Sequence, residues 1–213
     1  MYRLLAAIAV LLLTAVNGVA GEPAAADQLV ALLAPTKSLH ARFDQQVRDA
    51  RGDLLQRSSG ELWVKRPSRL RWEVRQPFAY LVVTDGRWLW RYDADLEQAV
   101  RQPFNGNLAE TPALLFSDDP EALDEHYDIT LAAGDWGQRF VLVPRSADSA
   151  FGQLEVVFKA REMQRMVLLD GLGQTTDIRF SAVRANPAVD DARFHFTPPA
   201  GTDVIYDDPQ PVR

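Results

Sequence analysis

The side chains that could do chemistry are few and scattered. The 213-residue chain has three histidines, His40, His126 and His195, and no cysteine. None of the histidines lies in an HxH or HxxxH pattern, the spacings that aim two imidazoles at one metal ion. Zero Cys excludes disulfides, thiol nucleophiles, Cys-ligated zinc, iron–sulfur clusters and a lipid anchor on an N-terminal cysteine. There is no Gly-x-Ser-x-Gly elbow and no Ser/His/Asp set that can be ordered into a triad. Gly171-Leu172-Gly173 follows Asp170 between two alternating segments, which is hairpin chemistry rather than a phosphate loop. The acidic pairs Asp118-Asp119, Asp190-Asp191 and Asp207-Asp208 fall in loop segments and read as solvated turns. These absences predict a protein that is not an enzyme and takes no cofactor or metal. A net charge of −6 argues against nucleic acid, and against an anionic membrane surface, as the main partner.

What stands out is the chemistry of faces. Trp63, Trp72, Trp88 and Trp90 crowd one stretch, on alternating segments that also carry Leu and Val. Each Trp taken singly reads as core packing. Together, bulky aromatics on a curled sheet can line a cavity instead of filling a core. Arg66 shares parity with Leu62 and Val64, so a regular strand would aim it at the apolar face. Two readings are open. The strand ends and Arg66 turns to solvent before Pro67, or Arg66 reaches across the mouth to donate to carbonyls at a helix end, a task suited to its five always-charged donors.

The elements that must position these residues are mostly strands. Residues 38–47 alternate, with Leu39, Ala41, Phe43, Gln45 and Val47 on one side. Residues 62–66 and 69–75 follow, the latter with Leu70, Trp72 and Val74 on one face and charged residues on the other. Asp85-Gly86 between residues 80–84 and 87–92 signals a hairpin. A two-residue turn there would set Val83 opposite Trp88 and Leu81 opposite Trp90, all four sharing a face. Further alternating runs cover 127–131, 139–143, 154–158, 163–169 and 177–183. Chain-adjacent strands joined by short turns predict an antiparallel meander.

Helices are short and few. Leu29, Leu32 and Leu33 mark one face of a helix over 24–34, ended by Pro35. Thr111-Pro112 and Asp119-Pro120 each read as an N-cap followed by proline at the first helical position. The fold class expected is mainly β (α+β), with ten or eleven strands. A sheet that wide must curl, split or close, and the helices are the candidates to cover its apolar concave face.

The N-terminus is an address. Arg3, an apolar run from Leu4 to Val16 and small residues at Gly18 and Ala20 predict an export signal cleaved after Ala20. The run is too short to span a bilayer, which takes roughly 20 residues. Residues 21–213 are then one exported domain, with 206–213 as a polar, Pro-rich tail.

The ordered set Leu62-Trp63-Val64-Lys65-Arg66-Pro67, Trp72, Gln76-Pro77, Asp85-Gly86 and Leu89-Trp90 resembles the LolA family of outer-membrane lipoprotein carriers. Phe43 with Gln45, Thr111-Pro112, and Phe194-x-Phe196-Thr197-Pro198-Pro199-x-Gly201 support it. The resemblance covers nearly the whole mature chain in the same order. It implies an incomplete antiparallel β-barrel of about eleven strands with a lid of short helices over a hydrophobic cavity. It implies a monomeric periplasmic chaperone that takes lipoproteins from an inner-membrane ABC transporter of the LolCDE type and delivers them to the receptor LolB. It makes Arg66 the latch that ties the lid closed. It expects Phe43, Leu62, Val64, Leu70, Trp72, Val74, Leu81, Val83, Trp88 and Trp90 to hold acyl chains, and Pro112, Leu114, Leu115 and Phe116 to form the lid helix. On that basis Trp72→Asp would abolish loading with the fold intact. The runner-up is a periplasmic lipid or lipoprotein sensor, or a glycolipid-binding protein, on the same half-barrel.

Overall fold

The computed structural model describes residues 24–104, 115, 123–134, 137–146, 149 and 151–207. The expected export signal lies outside them, as do Pro112, Leu114 and Phe116 of the expected lid helix. Among the described residues no helix is long and apolar enough to cross a membrane.

Alternation of apolar and polar residues builds a sheet of twelve strands. They are β1 (Ser38–Arg48), β2 (Leu54–Lys65), β3 (Arg69–Gln76), β4 (Tyr80–Thr84), β5 (Trp88–Asp93) and β6 (Gln98–Pro103), then β7 (Tyr127–Gly134), β8 (Gly137–Pro144), β9 (Gln153–Lys159), β10 (Glu162–Leu169), β11 (Thr175–Ala185) and β12 (Asp203–Tyr206). Their spatial order is β12-β6-β5-β4-β3-β2-β1-β11-β10-β9-β8-β7. Two meanders, β1 to β6 and β7 to β11, are thus joined where β1 pairs antiparallel with β11. The sheet stays open between β12 and β7, so the barrel is incomplete as expected.

One strand departs from the antiparallel expectation. β12 runs parallel to β6, with Asp203 opposite Gln98 and Tyr206 opposite Arg101. Tyr206 is therefore a strand residue, and the N–H of Asp207 donates to the Arg101 carbonyl. The expected polar tail begins two residues too early. Four residues in a Pro-rich context carry too little alternation to reveal a strand.

Helix α1 (Ala25–Leu33) buries Ala26, Leu29, Leu32 and Leu33. A second helix, α2 (Leu123–His126), buries Leu123. Leu29, Leu32, Leu33, Leu115 and Leu123 join one apolar cluster with Leu39, Phe43, Leu62, Leu70, Phe140, Leu154 and Met166. One face of the whole curled sheet, from β5 round to β7, thus closes on side chains supplied by the helical segments.

Candidate functional site

The site is this concave face. Residues paired across neighbouring strands share a face, so register shows which side chains meet. Phe43 pairs with Gly60, Leu62 with Trp72 and Val64 with Leu70, and Trp72 with Val82. Phe43, Leu62, Val64, Leu70, Trp72 and Val74 are all buried in the one cluster. At its centre the rings of Phe43 and Trp72 stack, centroids 3.7 Å apart and 19° between planes. Trp72 is only 6% exposed. An aspartate there would be a buried charge without a partner, which costs several kcal/mol. Trp72→Asp therefore loses the fold together with any loading, against the expectation from sequence.

Leu81, Val83, Trp88 and Trp90 lie on the opposite, convex face. Val83 pairs with Trp90 and Leu81 with Tyr92, while Thr84 pairs with Leu89. The β4–β5 connection is thus two residues longer than a two-residue turn. Asp85 sets it, its Oδ1 accepting from the N–H groups of Arg87 and Trp88, each at 2.9 Å. The sequence pattern misplaces this face because β4 is apolar on both sides. Leu81, Val82, Val83 and Thr84 are all buried, so alternation carries no register there. Val82 and Leu89 are the residues of this hairpin that enter the concave cluster.

The convex aromatics are covered by the C-terminal segment. Arg193 lies 4.5 Å over Trp63, and Phe196 meets Trp90 and Tyr92 at 5.5 and 5.3 Å. Arg101 sits 4.0 Å over Trp88 and 4.6 Å over Tyr206. Lys65 donates to the Val189 carbonyl and to Asp191. That hydrogen bond and the neighbouring Arg69 and His195 hold the Asp191 carboxyl below its ordinary pKa. Burial pushes the Glu73 carboxyl up, but hydrogen bonds and charge from Arg71 and Arg75 outweigh it and leave the pKa lowered. Trp63 and Trp90 thus brace a strap, Trp88 packs under Arg101, and Trp72 faces the cluster.

Arg66 is the first residue of the turn after β2, half-buried. Its N–H donates to the Lys37 carbonyl at 2.8 Å, where the chain passes from α1 into β1. Its Nε and Nη2 are sealed from solvent, so the guanidinium does not turn outward. Leu115, the one described residue of the expected lid helix, is fully buried at 0% exposure.

Sequence reading missed two features. Gly60 lies inside β2, where a Cβ would stand 1.9 Å from the Glu73 carbonyl oxygen and 2.8 Å from Phe43 Cζ. A glycine inside an otherwise regular strand is the signal for such close approach. The second is a cavity of about 280 Å³ under the C-terminal half of α1. Leu32, Leu33, Leu39, Phe158, Met163 and Val183 line it, with Thr36, Arg161 and Glu162 also in its wall. Among the described residues no group of three or more His, Asp or Glu could hold a metal ion.

An open antiparallel sheet with a helix-covered apolar concave face defines a half-barrel class. The chain belongs to the family described as outer membrane lipoprotein carrier protein LolA, whose model matches residues 34–197. It is 40% identical over 203 residues to the outer-membrane lipoprotein carrier protein of Azotobacter vinelandii, covering 93% of this chain and 98% of that one. It is 39% identical over 180 residues to the protein of that name from Chromohalobacter salexigens, covering 84% and 86%. Among solved structures, an uncharacterized conserved protein from Thermus thermophilus shares the fold. The TM-score is 0.53 at 18% identity, covering 85% of this chain and 96% of that one.

Proposed function

We propose that the chain is a periplasmic carrier that shields the acyl chains of lipoproteins between the concave face and the helical segments. Those segments would lift to admit cargo. The observation that carries this reading is a single apolar face shared by β1 to β5 and β7 to β11, closed by helices rather than by a second sheet. A sheet–sheet core has no cheap way to open, whereas short helices on a concave sheet can lift as a unit. An acyl chain of 16 carbons loses on the order of 12 kcal/mol on entering water, at about 0.8 kcal/mol per CH₂. A cavity must offset most of that and still let go. Helices that repack on the empty face do both, because their own contacts compete with the cargo's.

In this account Arg66 is the latch of the closed form. Phe43, Leu62, Val64, Leu70, Trp72 and Val74, with Val82 and Leu89, contact acyl chains when the lid lifts. Pro112, Leu114, Leu115 and Phe116 belong to the lid. A transporter of the LolCDE type loads the carrier with ATP energy, and a receptor of the LolB type unloads it by higher affinity. Relatives named as lipoprotein carriers over nearly their whole length support the reading.

The test is native mass spectrometry of the protein taken from periplasm without detergent. A fraction is expected to carry one acylated lipoprotein each. Empty protein, or protein carrying only free phospholipid, from cells rich in lipoprotein would contradict the carrier reading.

A further inference from the structure

The β9–β10 hairpin carries an anomaly that the half-barrel alone does not explain. Lys159 pairs with Glu162, leaving a two-residue loop of Ala160 and Arg161. Both have positive φ, 49° and 66°. Such a loop favours Asn-Gly or Gly-Gly, because L side chains are disfavoured in the left-handed region. Residues held there persist where the surroundings over-determine them, often at moving parts.

The surroundings here are helix α1. Arg161 Nη2 donates to the Ala31 carbonyl oxygen at 2.9 Å. Ala31 is in the last turn of α1, where carbonyls have no intrahelical partner and a positive charge is favoured. No basic residue of α1 itself occupies that turn. At the other end of the helix, Gln138 Nε2 approaches Gln28 Oε1 at 3.5 Å, at the edge of hydrogen bonding. Arg161 is also in the wall of the cavity of about 280 Å³ that α1 roofs, beside Leu32 and Leu33 of the helix and Phe158 and Met163 of the hairpin.

We infer that Arg161 is a clasp: a positioning residue that holds the C-terminal end of α1 down over this cavity and so sets how readily that end lifts for an acyl chain. It is separate from Arg66, which sits on the β2–β3 turn. The strained loop aims the guanidinium at the helix, so hairpin stability is given up for lid control. The inference deepens the carrier reading and rests on it for its purpose. Its geometry concerns only α1 and the hairpin.

The strain supplies a test in which stability and lid control move in opposite directions. Full-length wild type, Arg161→Ala and the double variant Ala160→Asn with Arg161→Gly are compared by hydrogen exchange, thermal melting and titration with the fluorescent apolar probe N-phenyl-1-naphthylamine. In both variants α1 amides are expected to exchange about tenfold faster, with β9, β10 and β11 amides unchanged, and the probe to bind several-fold tighter. The double variant should melt at or above the wild-type temperature, because Asn-Gly relieves the loop. Arg161→Lys, which keeps charge and a donor, should recover part of the protection. Unchanged α1 exchange, acceleration spread over the whole sheet, or unchanged probe binding would each overturn the clasp. None of these readouts involves lipoprotein, so failure of the wild type to carry one would end the carrier reading while leaving the clasp to be judged on its own.

Discussion

Arg66→Leu yields a protein that takes up lipoprotein as well as wild type but passes it to the receptor at least tenfold more slowly. Arg66 lies past the end of β2, its backbone N–H on the Lys37 carbonyl and the Nε and Nη2 of its guanidinium sealed from solvent. A charge-assisted hydrogen bond contributes about 1.5–3 kcal/mol. Losing about 3 kcal/mol from the closed form shifts the closed-to-open ratio by about two orders of magnitude. With Arg66 as the proposed latch, its loss means that cargo no longer competes with a latched lid, so net affinity would rise and delivery suffer. Leucine keeps much of the apolar stem, so the fold is retained. Transfer from purified loaded carrier to receptor in liposomes, followed over time, measures this. Wild-type transfer by the variant would remove Arg66 from the mechanism.

Gly60→Val collapses the centre of the concave face. The Cβ alone would stand 1.9 Å from a backbone oxygen of β3 and 2.8 Å from the Phe43 ring. Backbone in the middle of a sheet cannot move aside cheaply. Here β3 already bulges between Val74 and Gln76 to bring its carbonyl this close. Relief would have to displace Phe43, and with it the stack on Trp72. Overpacking a core commonly costs about 1–3 kcal/mol, and a clash with backbone lies at or above the top of that range. The melting temperature should fall by about 6–12 °C, at about 2–4 °C per kcal/mol for a domain of this size. Gly60→Ala should show most of the same loss, since the first carbon makes the clash. A melting temperature within about 2 °C of wild type for either variant would contradict this account of the face.

Much of this architecture is legible in the residues, and the gaps have physical causes. Strands such as β1 and β3 have one wet and one dry face, so alternation alone places Phe43, Leu70, Trp72 and Val74 together. β4 is dry on both faces, and there the pattern is silent. The carboxylate of Asp85 lengthens the turn by capping two N–H groups, which slides the pairing by two residues and leaves the faces as they were, so the register of β4 on β3 decides. Leu81, Val83, Trp88 and Trp90 share a face with either turn, and it is the pairing of Trp72 with Val82 that turns that face away from the cluster. The strap that covers them is a long-range arrangement of Lys65 with Asp191, Trp63 with Arg193, and Trp90 with Phe196. No local pattern encodes such contacts. Gly60 and Arg161 escape sequence reading for a related reason. Each matters through one close contact with a distant segment: a glycine inside a strand signals close approach without naming its partner, and a lone Arg in a β-rich chain announces nothing by itself.

The central claim is that this chain keeps acyl chains in solution. The most direct measurement uses spheroplasts or inner-membrane vesicles bearing a labelled lipoprotein and the transporter, supplied with ATP and the purified protein. The account predicts that lipoprotein leaves the membrane only when the protein is added and appears in the soluble fraction in a one-to-one complex with it. Lipoprotein that stays in the membrane with protein and ATP present, or that is released equally without the protein, would contradict it.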